Sequence, residues 1–276
     1  KNSFIRSTEK YGYVTNQLTQ FDRVYNSTGA DFLRMVSREP RSVEDAVEHL
    51  MTIFEGVTKE ELTQDFLEFI LDLSTHKFVV IGETVEELEA QDLDFSYAHN
   101  NPKTLTNNYY QETEQKVGMS TQDYFLEEVQ GTPKISSLQF ELSSRCNERC
   151  IHCYIPNEKK NHGFDMPTAK VKSILDEFAE IGGLHVTLSG GEAFMHKDLM
   201  EIVKYCREKD LKISILSNLI SLKDEDIPVL KEANVSLVQT SLYAIEPEIH
   251  DAITTVSGSC EKTKAAIEKL VAADIP

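Results

Sequence analysis

Three cysteines lie within eight residues of one another, at Cys146, Cys150 and Cys153. Thiolates are soft ligands that suit zinc or an iron–sulfur cluster. A cubane cluster has four irons, so three thiolates from one short loop leave one iron open to another ligand. The spacing therefore indicates a [4Fe–4S] cluster with an open coordination position.

A zinc site is the alternative for the same loop, with His152 or His162 as the fourth ligand. A zinc ribbon normally shows a second pair of ligands at a distance. The two other cysteines, Cys206 and Cys260, stand alone in the sequence. The cysteine pattern therefore favours the iron–sulfur cluster.

Polar residues follow the next predicted strands. The first group is Ser189-Gly190-Gly191-Glu192, in which two glycines permit a close approach of the backbone and a carboxylate suits an ammonium group. Short polar side chains, which suit ribose hydroxyls or a carboxylate, end the two strands after that. They are Ser217, Asn218 and Ser241.

Strand and helix patterns alternate from Lys134 onward, which predicts an α/β domain over 134–276 with a parallel sheet or partial barrel. In such folds the loops at the carboxyl ends of strands carry function, and the three cysteines follow the first strand. The sequence stops where a fifth strand would begin. The predicted strands are 138–142, 184–188, 212–216 and 235–240, and the predicted helices are 168–181, 199–209, 224–233 and 261–272.

Residues 1–83 predict a separate, small α+β domain. Three short strands, at 4–7, 12–15 and 20–25, precede helices near 30–36, 42–54 and 59–74. A last strand is predicted at 79–81, which gives a winged-helix-like order. Residues 84–133 are rich in charged and amide side chains and predict a linker.

The formal charge is −18, from 46 acidic and 28 basic residues. A nucleic-acid surface needs clustered basic residues, so we expect no nucleic-acid partner and no basic membrane-binding helix. No apolar stretch is long enough to span a membrane, and no signal peptide follows Lys1. We therefore expect a cytoplasmic protein with reduced cysteines.

The Cys-x3-Cys-x2-Cys loop after the first strand resembles that of the radical S-adenosylmethionine (SAM) superfamily, and the Gly-Gly-Glu segment after the second strand matches a motif of the same family. The resemblance implies a [4Fe–4S] cluster, SAM and a low-potential electron donor. It implies cleavage of SAM to methionine and a 5′-deoxyadenosyl radical. Further clusters in an extension beyond residue 276 are common in similar enzymes. The residues implied to contact SAM are His152, Tyr154, Gly190, Gly191, Glu192, Ser217, Asn218 and Ser241.

The N-terminal domain is similar, by its order of elements, to the PqqD-like peptide-recognition (RRE) domain of enzymes that modify ribosomal peptides. There, a leader segment adds as a strand to the sheet edge, which here would be 20–25 beside the helix 59–74. The resemblance implies a maturase that cross-links a precursor peptide, with a thioether expected before a carbon–carbon link or epimerisation.

Three other hypotheses remain open at this point. The first is a radical SAM enzyme that acts on a small molecule or a protein, with a structural N-terminal domain. The second is a metal-binding adaptor without catalysis. The third is a winged helix that binds DNA, which the acidic charge disfavours.

Overall fold

The computed structural model describes residues 1–19, 21–96, 135–161 and 163–276. The chain divides into two compact units, Lys1–Lys134 and Ile135–Pro276. Each unit has its own core of buried apolar side chains.

The first unit is an antiparallel sheet in the order β1-β2-β3, followed by helices. Because β2 is central, β3 has one edge without a strand partner among the described residues. The strands are β1 (Ser3–Ser7), β2 (Gly12–Asn16) and β3 (Phe21–Tyr25). The helices are α1 (Ser27–Arg34), α2 (Val43–Leu50), α3 (Lys59–Thr75) and α4 (Val85–Gln91).

Side-chain caps set where the helices of this unit begin. Ser42 is the N-cap of α2, and its side chain accepts a hydrogen bond from the backbone N–H of Asp45. Thr58 and Glu61 form a reciprocal capping box at the start of α3. The apolar face of α3, with Leu62, Phe66 and Leu73, is buried, as its helical spacing predicts.

The strand predicted at 79–81 is wrong, because Val79, Val80 and Ile81 lie in no strand. β-branched residues favour a strand only when a neighbouring strand can pair with them. α4 lies inside the stretch predicted to be a linker, whose remainder from residue 97 is outside the described residues.

The second unit is a parallel sheet in the order β4-β5-β6-β7. Its strands are β4 (Ser137–Ser143), β5 (His185–Gly190), β6 (Lys212–Leu216) and β7 (Leu237–Gln239). Its helices are α5 (Asn157–Asn161), α6 (Thr168–Glu180), α7 (Leu199–Glu208), α8 (Asp226–Glu232), α9 (Pro247–Thr254) and α10 (Ser259–Ala272).

One face of this sheet is apolar and the other is polar. Buried residues such as Leu142, Leu188 and Ile215 pack against residues of α6, α7, α8 and α10 in one core. Alternate residues point the other way. On β4 these are exposed and polar, Gln139 and Glu141.

All four predicted strands and all four predicted helices of this unit are present. None of their ends is shifted by more than two residues. Sequence patterns did not reveal the five-residue α5, a 3₁₀ turn at Ala193–Met195, or α9. Among the described residues, no helix has the length and apolar character needed to cross a membrane.

Candidate functional site

The loop that follows β4 carries the three cysteines, and its start is fixed by polar contacts. The hydroxyl of Ser143 donates to Asp165 at 2.7 Å. The Arg145 guanidinium donates to the same carboxylate and to the carbonyl oxygen of Met195 at 2.7 Å. These bonds position the chain just before Cys146.

Cys146 is the most buried cysteine of the loop, at 8% exposure. Its sulfur accepts a hydrogen bond from the backbone N–H of Glu148 at 3.4 Å. The side-chain amide of Asn218 donates to the same sulfur from 3.9 Å. Burial raises the pKa of the Cys146 thiol, which the hydrogen bond from the Glu148 N–H and the nearby Lys160 ammonium partly offset.

Cys150 lies beside an acidic group. Its thiol donates to Oε2 of Glu148 at 3.3 Å. Burial, followed by the hydrogen bond to Glu148 and the charge of that residue, raises the pKa of Cys150 to about 12. The Lys160 ammonium, which is buried, lies 3.4 Å from the Glu148 carbonyl oxygen.

The donor set of this loop fits an iron–sulfur cluster by its chemistry, since three thiols lie on one loop and none is in a disulfide. In the described parts of the chain, however, no three His, Cys, Asp or Glu side chains are close enough together to hold a metal ion. Oε1 of Glu148 is buried and has no hydrogen-bond partner.

The two glycines at the end of β5 pack against the cysteine loop. Gly190 has φ of +140°, and a Cβ there would lie 2.3 Å from the carbonyl oxygen of Ser143. A Cβ on Gly191 would lie 2.3 Å from the carbonyl oxygen of Arg145. In this structure the glycines thus allow two backbone segments to approach, and contact with a cofactor stays a prediction.

Glu192 joins the ends of β5 and β6. Its carboxylate accepts hydrogen bonds from the N–H of Phe194 at 2.9 Å, the hydroxyl of Ser217 at 2.6 Å and the N–H of Asn218 at 2.7 Å. Burial raises the pKa of Glu192, while these bonds favour the charged form. The structure therefore brings Glu192, Ser217 and Asn218 together beside Cys146, and their contact with SAM stays a prediction.

His152 contacts a residue that sequence reasoning did not assign. Its Nε2 lies 3.1 Å from the hydroxyl of Tyr243, and the two rings pack edge to face at 5.0 Å. The N–H of Tyr243 donates to Nδ1 of His250, which is buried. A hydrogen bond with Ser241 favours ionisation of Tyr243, although burial raises its pKa overall. His162, the other candidate zinc ligand, lies outside the described residues.

Tyr154 lies apart from this group and is 75% exposed. Its hydroxyl donates to Glu141 at 3.0 Å, which places it over the polar face of β4. Its role as a SAM contact, implied by the resemblance, stays a prediction.

The end of α9 holds the cysteine loop from the other side. The N–H groups of Arg149 and Ile151 donate to the carbonyl oxygens of Thr254 and Ile253, each at 3.0 Å. The hydroxyl of Thr255, which has a left-handed backbone, donates to the carbonyl oxygen of Arg149 at 3.0 Å. Cys150 thus lies between two residues whose backbones are fixed.

The neighbouring carboxylate of Asp251 ties α9 to α10. It accepts hydrogen bonds from the N–H groups of Gly258 and Cys260 and from the hydroxyl of Ser259. These bonds lower the pKa of Asp251. Asp251 therefore caps α10.

Comparison with known proteins follows the division into two units. Residues 140–276 match the radical SAM superfamily, and residues 23–79 match coenzyme PQQ synthesis protein D. This chain belongs to the radical SAM superfamily. Members of that superfamily use a [4Fe–4S] cluster and SAM, which confirms the cofactors predicted from the cysteine loop.

Two curated relatives match half of this radical SAM chain. AdoMet-dependent heme synthase of Methanosarcina barkeri is 32% identical over 139 residues, which are 50% of this chain and 40% of the relative. PqqA peptide cyclase of Methylocella silvestris is 32% identical over 136 residues, 49% of this chain and 36% of the relative. The chain therefore spans less than half the length of each.

A solved structure matches almost the whole chain. SuiB of Streptococcus suis, bound to its precursor peptide SuiA, superposes on 97% of this chain with a TM-score of 0.56 and 18% identity, and 53% of SuiB is covered. SuiB alone superposes on the full chain with a TM-score of 0.53. These matches confirm the predicted fold class, a radical SAM α/β unit preceded by a small unit with an antiparallel sheet.

Sequence reasoning missed several residues of the site. Asn147 follows the first cysteine and accepts from the Asn218 amide, so its place in the motif was a usable signal. Tyr243 lies four residues after the end of β7, two residues beyond Ser241, and this nearness to a predicted contact was a usable signal. Lys160, Glu148 and His250 gave no signal, because a buried charged or imidazole group can be recognised only in three dimensions.

Proposed function

We propose that this chain modifies a ribosomally synthesised precursor peptide by radical SAM chemistry. The observation that supports this most is the presence of a PqqD-like segment and a radical SAM segment on one chain. A relative named PqqA peptide cyclase and the fold of a SuiB–precursor complex support the same substrate class. Activity, substrate and partners of the whole protein belong to this proposal.

Cys146, Cys150 and Cys153 would hold the cluster, and Glu192 with Ser217 would bind the amino acid part of SAM. When bound, the two cofactors supply a 5′-deoxyadenosyl radical that removes a hydrogen atom from the peptide. The Glu192 carboxylate is oriented by three hydrogen bonds before any ligand arrives. Such pre-orientation lowers the entropic cost of binding.

The other residues predicted to contact SAM are given roles according to where they lie in the structure. Gly190 and Gly191 bring the Glu192 segment against the cysteine loop, and His152 with Ser241 would lie near the adenosine. Tyr154 would contact it from the polar face of the sheet. A low-potential electron donor would supply the electron.

The leader of the peptide would bind at the free edge of β3, next to α3. Arg23 on β3 donates to Asp72 on α3 at 2.6 Å and to Nε2 of His76 at 2.8 Å. The hydroxyl of Tyr25 donates to the same Asp72 carboxylate at 3.1 Å. These contacts fix the distance between strand and helix, so an added strand would find a groove of set width.

The expected product is a cross-linked peptide. The word cyclase in the name of the PqqA relative favours a ring over an epimer. A thioether from a peptide cysteine remains our first assignment, ahead of a carbon–carbon link. The free cysteines suit a reducing compartment, so the cytoplasm remains the predicted location.

Anaerobic reconstitution with iron and sulfide tests this proposal. The chain should bind four irons and, with dithionite and SAM, form 5′-deoxyadenosine. A Cys150→Ala variant should lose both, whereas Cys206→Ala, which changes a buried cysteine on α7, should keep the iron. An iron-loaded chain that never forms 5′-deoxyadenosine would contradict radical chemistry.

The dependence of turnover on the leader distinguishes a peptide substrate from a small-molecule substrate. A small molecule is the second candidate, and the heme synthase relative favours it. A precursor peptide should lose two hydrogen atoms in mass, and a leaderless peptide should react far more slowly. Asp72→Ala should weaken leader binding without reducing basal SAM cleavage, and Asp45→Ala on α2 is the matched control. Turnover that is independent of any leader would favour the small-molecule candidate.

A further inference from the structure

The Asn218 amide has one orientation that satisfies its neighbours. Its Oδ1 accepts a hydrogen bond from the N–H of Ile220 at 3.1 Å, and its Nδ2 donates to Oδ1 of Asn147 at 2.6 Å. A flipped amide would lose both bonds and place two carbonyl oxygens together. Nδ2 also donates to the sulfur of Cys146, 3.9 Å away, and to the Glu148 carboxylate, and the bond to Glu148 acts to lower the pKa of that carboxyl.

The backbone of Asn218 is held from two other elements. Its N–H donates to Oε2 of Glu192 at 2.7 Å, and its carbonyl oxygen accepts from the hydroxyl of Thr263 on α10 at 3.0 Å. The next residue, Leu219, has φ of +66° and is buried, which is a rare conformation for a branched residue. A strained backbone persists where its surroundings fix it.

The surroundings of the ligand sulfurs differ in charge. The Cys146 sulfur accepts from two N–H groups, those of Asn218 and Glu148. The Cys150 sulfur faces the Glu148 carboxylate. Hydrogen bonds to the sulfurs of an iron–sulfur cluster stabilise its more negative, reduced form and so raise its reduction potential.

We propose that Asn218 is a positioning residue that donates a hydrogen bond to the Cys146 sulfur and thereby raises the reduction potential of the cluster. This assignment rests on the proposed function, because it needs a cluster bound by Cys146. It gives Asn218 a role in how readily the cluster is reduced. This role is distinct from the contact with SAM that the family resemblance implies.

The test is a redox titration of reconstituted chains without SAM, followed by the electron paramagnetic resonance signal of the reduced cluster. Asn218→Ala removes the donor, and Asn218→Asp also places a carboxylate beside the sulfur. Both should titrate at a more negative potential than the wild type, and Asn218→Asp by more. Asn234→Asp is the matched control, since it makes the same change in a turn after α8, where Asp tolerates the left-handed backbone.

Thr263→Val provides a second variant if an Asn218 variant does not bind four irons. It removes only the hydroxyl that holds the Asn218 carbonyl oxygen, and a smaller shift in the same direction is expected. Unchanged potentials in iron-loaded Asn218 variants would overturn the assignment while leaving the proposed function intact. A wild-type chain that takes up no iron would overturn the proposed function and this assignment with it.

Discussion

The amide nitrogen of Ile151 lies 3.0 Å from the carbonyl oxygen of Ile253, so the cysteine loop is hydrogen-bonded to the last turn of α9. Carbonyl groups at a helix C-terminus have no partner within the helix. Here they serve as acceptors for the loop, and Arg149 pairs with Thr254 in the same way. The end of α9 is therefore part of the structure that positions Cys150.

Thr255→Val should loosen this attachment. It removes the hydroxyl donor to the Arg149 carbonyl oxygen and keeps a β-branched side chain. A hydrogen bond contributes about 0.5–1.5 kcal/mol, so exchange of the Arg149 and Ile151 amide hydrogens should quicken roughly two- to tenfold. Hydrogen exchange followed by mass spectrometry measures this.

Thr52→Val is the matched control for that change. Its hydroxyl also donates to a backbone carbonyl oxygen, that of His49, in the other unit. Loop exchange should be the same in this variant as in the wild type. Equal loop exchange in both variants would show that Thr255 does not hold the loop.

Gly191→Ala should destabilise the second unit strongly. A methyl group there would meet the Arg145 and Ser144 carbonyl oxygens at 2.3 and 2.7 Å, and these are backbone atoms that cannot rotate away. Overpacking of this kind typically costs about 1–3 kcal/mol or more. Urea unfolding should show the loss, and iron uptake should fall with it.

Gly56→Ala separates overpacking from backbone strain. Gly56 has φ of +79° but open space around the site of a Cβ. Gly56→Ala should therefore lower the free energy of unfolding only by the cost of a left-handed backbone for alanine, about 1–2 kcal/mol. It should not affect iron uptake. Normal iron uptake by a Gly191→Ala chain would contradict the close packing of Gly191 against the cysteine loop.

Tyr13 should make the first unit sensitive to alkaline pH. Burial, with the charge of Asp22 as a second cause, raises the pKa of Tyr13 to about 12. The unfolded chain ionises this tyrosine near pH 10, whereas the folded chain keeps it neutral. The stability is therefore full below about pH 10 and falls as the pH rises toward about 12.

Tyr13→Phe should remove this part of the pH dependence. The difference should be about 1–2 kcal/mol between pH 10 and 12, allowing for partial screening by solvent. Urea unfolding at a series of pH values measures it, with Tyr11→Phe as the control. The same slope in the Tyr13→Phe protein and the wild type would show that Tyr13 is not the group responsible.

Glu192→Gln should cost stability as well as SAM binding. The amide nitrogen of glutamine would face one of the three donors that the carboxylate now accepts. A buried donor left unpaired costs about 1–3 kcal/mol. Glu246→Gln is the control, because Glu246 precedes α9 without a side-chain capping bond. Urea unfolding with unchanged stability for Glu192→Gln would contradict the hydrogen-bonded carboxylate.

The sequence predicted the second unit well because its strands and helices alternate with clear periodicity. It also predicted polar residues at the carboxyl ends of these strands, where function is located in parallel sheets. These predictions needed only local patterns and the topology of a parallel sheet.

Other features depend on contacts between distant residues. The approach of Gly191 to Arg145 is invisible until the two segments are packed, so the glycines were assigned to a ligand instead. The bond between His152 and Tyr243 joins residues 91 positions apart. The segment 79–81 has strand-forming residues but no partner strand, which a local pattern cannot show.

Asp251 gives the cysteine loop a connection to α10. Its carboxylate holds the N-terminus of α10, and three residues later the chain holds the backbone of Arg149. Elements joined in this way open together in one cooperative step. The turn at 255–258 lies between these two attachments, so we expect cleavage of this turn by a protease to report when the cysteine loop opens.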